Sequence, residues 1–253
     1  MFCLETFHKN IINILIIDND TTTITTILDA LCSPLVRVEV AYTLSDAYNK
    51  IKHSPIQWHC WIFDLDQDYN NDGFQLMRDF RHYPYLIVLS GKKDMRLAFK
   101  AAQLGVLDIF NKSHCFSLPD FIDSVFRIAI VGYLLHGKRS DYLQVFLSLK
   151  DNIFTSAPQW ADHSCFSLRY LERLCNMYIG LSPRYVLPLY YYLYSSFFLS
   201  DPDAAYHHYF CNQHTSKEKA YFKQCNNFVK NNLESTYSFL NHQFKNNELC
   251  FSL

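Results

Sequence analysis

Asn13-Ile14-Leu15-Ile16-Ile17-Asp18-Asn19-Asp20 is the stretch on which the fold turns. An unbroken apolar run of strand length is buried on both faces, as strands of a parallel sheet are, and this one stops at two acids around an amide. The same pattern recurs downstream. Strands are expected over 12–17, 36–41, 58–63, 85–89 and 106–110, with helices over about 20–32, 44–53, 73–82, 94–104 and 118–131. Leu97, Ala101 and Leu104 show the helical spacing within one of these segments. Strand and helix in alternation predict an α/β doubly wound five-stranded parallel sheet.

Right-handed crossovers bring the C-terminal ends of such strands to one edge, where ligands of doubly wound folds bind. The strand ends read Asp18-Asn19-Asp20, Asp64-Leu65-Asp66, Ser90-Gly91 and Asn111-Lys112-Ser113. Acids, a hydroxyl and a lysine therefore converge on one pocket, suited to a hard cation such as Mg2+ and to a phosphoryl group made on a carboxylate. Taken singly, each acid reads as well as a polar strand end capping the next helix, and Lys112 as a solvated surface lysine.

The chain's 253 residues, 49% of them hydrophobic, fit two domains with a core each. Apolar runs such as 11–17 and 186–199 are too short, too Tyr-rich or too Pro-interrupted to span a bilayer, and no leader pattern opens the chain. A cytoplasmic protein with no membrane partner is expected. Nine cysteines without a Cys-x-x-Cys pair fit neither a zinc ribbon nor a disulfide framework, and read as reduced, mostly buried small hydrophobes. Residues 1–130 hold 12 Lys and Arg against 15 Asp and Glu, and residues 131–253 hold 11 against 9. The second half is thus permissive for nucleic acid without being diagnostic. Neither a Gly-rich phosphate loop nor a Ser-His-Asp or His-metal spacing is present, and the adjacent His207 and His208 point about 100° apart on a helix. An enzyme is not expected.

Five strings come in a telling order: Asn13-Ile14-Leu15-Ile16-Ile17-Asp18, Phe63-Asp64-Leu65, Asp72-Gly73, Leu86-Ile87-Val88-Leu89-Ser90-Gly91 and Leu104-Gly105-Val106-Leu107-Asp108-Ile109-Phe110-Asn111-Lys112. Over 13–131 they resemble the receiver domain of two-component response regulators. The resemblance implies that Asp64 is phosphorylated by a sensor histidine kinase. It also implies that Asp18, Asn19 and Asp64 hold Mg2+, and that Ser90 and Lys112 are the switch residues sensing the phosphoryl group. A carboxylate attacking a phosphoryl group needs both charges offset, which a divalent ion and a lysine can do. The chain departs from the family at Asn19 in place of a second acid, Ser113 in place of the Pro after the lysine, and Ile109 in place of an aromatic residue. Its loop from Asp64 to Gly73 is longer and lacks the family's Pro.

Gly132 and Gly137 flank a polar break ending in Gly137-Lys138-Arg139-Ser140. The expected domains are therefore 1–132, a linker over 133–141, and 142–253. Only helical periodicity follows, over about 142–153, 157–164, 168–178, 183–199, 203–212, 217–230 and 233–244. Ser167-Leu168-Arg169-Tyr170-Leu171-Glu172-Arg173-Leu174 is amphipathic, with Leu168, Leu171 and Leu174 on one side and Arg169, Tyr170 and Arg173 on the polar face. Trp160-Ala161 precedes it on a short helix. Gly180 ends it, Ser182 caps the next helix and Pro183 takes that helix's first position, which is a helix-turn-helix layout.

The pattern over 164–186, with a weaker echo at Lys217-Glu218-Lys219-Ala220-Tyr221-Phe222-Lys223, resembles the DNA-binding domain of the AraC/XylS family. That domain is all-α, with two helix-turn-helix units joined by a long helix. The resemblance implies recognition helices over 167–178 and 217–229, with Arg169, Tyr170, Arg173, Lys217, Lys219 and Lys223 meeting phosphates or base edges of promoter DNA. Departures are Pro188 inside the linking helix, which costs about 3 kcal/mol or a kink, the run Tyr190-Tyr191-Tyr192-Leu193-Tyr194, Asn231 at the second turn, and Glu218. Each basic residue alone also reads as part of a solvated helix face.

The expected protein is a DNA-binding transcription regulator of the response-regulator type, controlled by phosphorylation or by an acquired substitute for it. Promoter DNA and a sensor histidine kinase are its expected partners, and a homodimer is compatible. The alternative is a degenerate adaptor whose two domains are protein-binding surfaces.

Overall fold

A computed structural model describes residues 12–33, 35–65, 72–83, 85–91, 95–115, 119–137 and 142–197. The chain divides into two compact units, Met1–Lys150 and Asp151–Leu253, so the division falls beyond the polar break at 133–141.

The first unit runs β1 (Ile12–Ile17), α1 (Thr21–Ala30), β2 (Val36–Ala41), α2 (Leu44–His53), β3 (Cys60–Asp64), α3 (Asp72–Asp79), β4 (Leu86–Ser90), α4 (Met95–Gln103), β5 (Asp108–Asn111), α5 (Lys112–Cys115), α6 (Pro119–Leu134) and α7 (Leu143–Asp151). Its five strands are parallel in the order β2-β1-β3-β4-β5, the doubly wound sheet the opening stretch implies. All of β1 except Asn13 is buried, and β3 and β4 are buried throughout. On one face Leu15, Ile17, Trp61, Phe63 and Val88 join a core with Ala47, Ile51, Met77 and Ala101 from the helices; α6 packs on β1 and β3.

β3, β4 and β5 begin later along the chain than their apolar runs. The residues before them, buried ahead of β3 and β4 and partly buried ahead of β5, only lead into the ladder: His59 N–H donates to the Asn13 carbonyl at 2.8 Å and Leu107 N–H to that of Leu86 at 2.9 Å. Asp64 and Ser90 therefore sit inside strand ends, where backbone pairing holds them. α1 contains five threonines, poor helix formers, yet Asp20 caps it through Thr22 N–H at 3.0 Å, and Ile24 and Ile27 anchor its buried side.

Gly132 does not break the chain as expected. α6 runs through it to Leu134, because a Cβ there would land on the carbonyl oxygen of His59. The missing side chain lets the helix rest directly on the strand's backbone. The real end comes at His136 and Gly137, both with positive φ, where Gly137 N–H reaches back to the Gly132 carbonyl at 2.7 Å.

In the second unit α8 (Ala157–His163), α9 (Leu168–Tyr178) and α10 (Pro183–Phe197) follow the expected helices. Gly180 (φ 81) closes α9 as expected, donating to the carbonyls of Cys175 and Asn176 at 3.1 Å each. Ser182 opens α10 with its carbonyl, but its buried hydroxyl has no hydrogen-bond partner among the described residues, so the expected side-chain cap is not made. α10 continues through Pro188. The N–H that Pro188 lacks would have bonded the carbonyl of exposed Arg184, which water can satisfy instead. Tyr190, Tyr191 and Tyr194 are core, and the Tyr191 hydroxyl accepts Phe154 N–H at 2.8 Å. The helices expected over 203–212, 217–230 and 233–244 lie outside the described residues, and so do Lys217, Lys219 and Lys223.

Candidate functional site

Strand register builds the pocket. Ile17 pairs with Phe63, so Asp18 and Asp64 are the next residues on neighbouring strands; Ser90 pairs with Asn111, which puts Lys112 one step beyond. The site lies where β1 and β3 part company in the winding order, the position at which doubly wound folds take ligands.

Asp18 and Asp64 are almost fully buried, and Ser90 is buried beside them on the same edge. Lys112 Nζ bridges the two acids, 2.9 Å from Asp18 Oδ2 and 2.8 Å from Asp64 Oδ2. Burial works against the lysine's charge, but its hydrogen bonds to Asp64 and Asp18 outweigh that, and its pKa is raised. Asp18 Oδ1 also accepts the N–H of Asp20 at 2.8 Å. Both readings of the acids are thus realised, in different residues. Asp18 and Asp64 face the pocket. Asp20 is an exposed helix cap, held by the Thr23 hydroxyl at 2.6 Å and Thr22 N–H, and these bonds lower its pKa.

Asn19 is exposed, and no group of three His, Cys, Asp or Glu converges among the described residues. Of the expected donors, the two that the fold brings together are the carboxylates of Asp18 and Asp64, which could hold Mg2+. That set fits Mg2+ in its usual mode, in which one or two carboxylates and several waters are joined by phosphate oxygens, and it does not amount to an all-protein cage.

Ser113 has a structural use. Asn111 Oδ1 accepts its N–H at 2.9 Å and its hydroxyl at 2.6 Å, a turn that starts α5 and that proline could not make. Ile109 is partly buried and packs against the core.

Sequence reasoning missed a second charged group at the other end of β5. Asp108 Oδ2 accepts Lys150 Nζ at 2.8 Å and the Ser124 hydroxyl at 2.7 Å. Arg127 of α6 grips Asp123 at 2.8 and 2.9 Å and donates to the Lys150 carbonyl at 2.9 Å. These partners are up to 42 residues apart, so no local pattern announces them. His59 was missed as well. Its Nδ1 accepts the N–H of Asn13 at 3.0 Å, its ring meets Tyr133 edge-on, and burial, aided by nearby His136, pushes its pKa down to about 3.

In the second unit Arg169 and Arg173 are exposed on α9 and Tyr170 is half-buried, with the Arg173 guanidinium 4.7 Å from the Tyr170 ring centroid. Leu171, Leu174 and Cys175 form the buried side, whereas Leu168, expected with them, is 37% exposed because it lies in the helix's first turn. Cys60 and Cys175 are buried and their thiol pKa values are raised, but Cys32 and Cys165 are exposed. No helix among the described residues is long and apolar enough to cross a membrane.

No family model and no curated protein matches the chain. Among solved structures, full-length FixJ from B. japonicum is similar over 72% of this chain and 97% of its own, at 15% identity and a TM-score of 0.38. The RcsB response regulator of Salmonella typhimurium, described for its conformational dynamism in DNA interaction, is similar over 71% and 97%, at 22% identity and a TM-score of 0.35.

Proposed function

We propose that the chain is a DNA-binding transcription regulator of the response-regulator type, with Asp64 as phosphoacceptor and an AraC-like helical domain as its output. The observation that carries this reading is the Lys112 ammonium within 3 Å of both buried carboxylates at the strand-end edge, with Ser90 beside them. One Asp64 carboxylate oxygen attacks the phosphorus of a phosphohistidine on a sensor kinase. An O–P bond forms, the N–P bond breaks, and the departing imidazole takes up a proton. Asp18 and Asp64 would hold Mg2+, which would supply positive charge to the phosphoryl oxygens. Lys112 offsets the charge of the acyl phosphate and Ser90 hydrogen-bonds to it, so both side chains change partners on modification. Arg169 and Arg173 on α9 meet promoter DNA.

The test uses the purified chain with acetyl phosphate or beryllium fluoride and Mg2+. A mass gain or spectral change at Asp64, absent in Asp64→Asn, is expected; no modification under either reagent overturns phosphorylation as the control. The adaptor reading is favoured by Met95 and Phe99, 87% and 67% exposed and one turn apart on α4. It predicts a chain that captures a protein partner and shows no salt-dependent DNA binding.

A further inference from the structure

The basic residues do not define the whole exposed face of α9. At 100° per residue, Arg169, Arg173 and Asn176 fall within roughly 60° of one another, and Met177 follows at the edge of that stripe. All four are exposed, Met177 to 62%, while Leu171, Leu174 and Cys175 turn the opposite side into the core. The stripe is braced. Phe166 lies 4.8 Å from the Tyr170 ring, which in turn carries the Arg173 guanidinium. At Asn176 the backbone is fixed, since its carbonyl accepts the N–H groups of Ile179 and Gly180, yet its side-chain amide makes no hydrogen bond among the described residues.

Two side chains on this face are exposed and make no hydrogen bond among the described residues. Asn176 is a poorer helix former than alanine, and Met177 leaves a large apolar group in water. Their chemistry is complementary to one base pair. A carboxamide offers an acceptor and a donor side by side, matching the N6 donor and N7 acceptor of adenine, and an adjacent apolar group suits the C5 methyl of thymine. Arg169 and Arg173 both lie to one side of Asn176 on this stripe, with exposed Glu172 on its other flank, and their guanidinium groups match phosphate oxygens or guanine. We infer that Asn176 and Met177 are specificity-determining residues that read an A·T base pair in the major groove. This rests on α9 being a DNA-reading helix.

The test keeps the two ideas apart. The full chain, Asn176→Ala, Met177→Ser and the double variant Arg169→Ala with Arg173→Ala are each used to select from a randomised duplex library. Circular dichroism checks that each is folded. Wild type is expected to enrich a motif containing an A·T pair. Asn176→Ala then relaxes the preference at that pair by about 5- to 150-fold, the worth of one bidentate contact, and Met177→Ser weakens it in the same place by a smaller factor. The arginine double variant loses affinity for every sequence and lowers the salt slope by about two. A wild-type motif that Asn176→Ala and Met177→Ser both reproduce unchanged overturns the inference and leaves DNA binding standing. No enriched motif and no salt-dependent binding by wild type overturns the DNA reading itself.

Discussion

Acid should weaken this protein through His59 well before its carboxylates are neutralised. The ring is buried between β3 and α6, and its Nδ1 must stay an acceptor for the N–H of Asn13, so the neutral Nε2–H form is the one the fold holds. Protonation would set an N–H against an N–H. Burial accordingly lowers its pKa from 6.5 to about 3. A group depressed in this way keeps its full contribution above the unfolded value and loses it as pH falls below 6.5, because only the unfolded chain then takes up the proton. At about 1.36 kcal/mol per pH unit, the loss reaches about 2 kcal/mol by about pH 5 and continues toward pH 3. His59→Asn isolates the effect, since a carboxamide oxygen can take the place of Nδ1 and does not titrate. Urea unfolding of both proteins at neutral pH and at about pH 5 should show wild type losing about 2 kcal/mol more than the variant, all other titrations being shared. Equal losses in the two proteins, or an NMR titration of the His59 ring near pH 6, would refute the reasoning.

Lys112→Met leaves Asp18 and Asp64 buried without a cation. It should cost about 3–5 kcal/mol at neutral pH; a denaturant midpoint equal to that of the wild type would contradict that. Gly132→Ala should destabilise by about 1–3 kcal/mol through overpacking against His59 although alanine is the better helix former, and an unchanged or raised melting temperature would deny the close approach. A double-mutant cycle of Asp108→Asn and Lys150→Met should give a coupling of roughly 0.5–1 kcal/mol, small because both side chains are partly exposed, with faster amide exchange at the end of α7. No coupling would mean that the pair contributes nothing to holding that helix.

The pocket was legible because each of its members ends a strand. Once Ile14 to Ile17 and the later apolar runs are taken as parallel strands, geometry alone brings Asp18, Asp64, Ser90 and Lys112 together. Strand starts were less legible, since lead-in residues such as Trp58 and His59 are as buried as the ladder itself. Gly132 misled for a related reason: glycine marks either a break or a close approach, and only the partner's position tells which. The amphipathic face of α9 was visible from periodicity, but the exposure of Leu168, on the core side in the first turn, was not, because burial near helix ends depends on neighbours that periodicity does not see.

β5 has four residues, and an ammonium–carboxylate pair closes on it at either end: Asp108 is its first residue, and Lys112 follows its last. At about 3.3 Å per residue the two fastenings are only about 13 Å apart along an extended strand. Such a strut has little slack, so a tug on Lys112 at the rim of the pocket is delivered to Asp108 and from there to Lys150. Lys150 is also where the first unit ends. The lever that could carry a charge signal out of the sheet is thus a single short strand with a grip at each end.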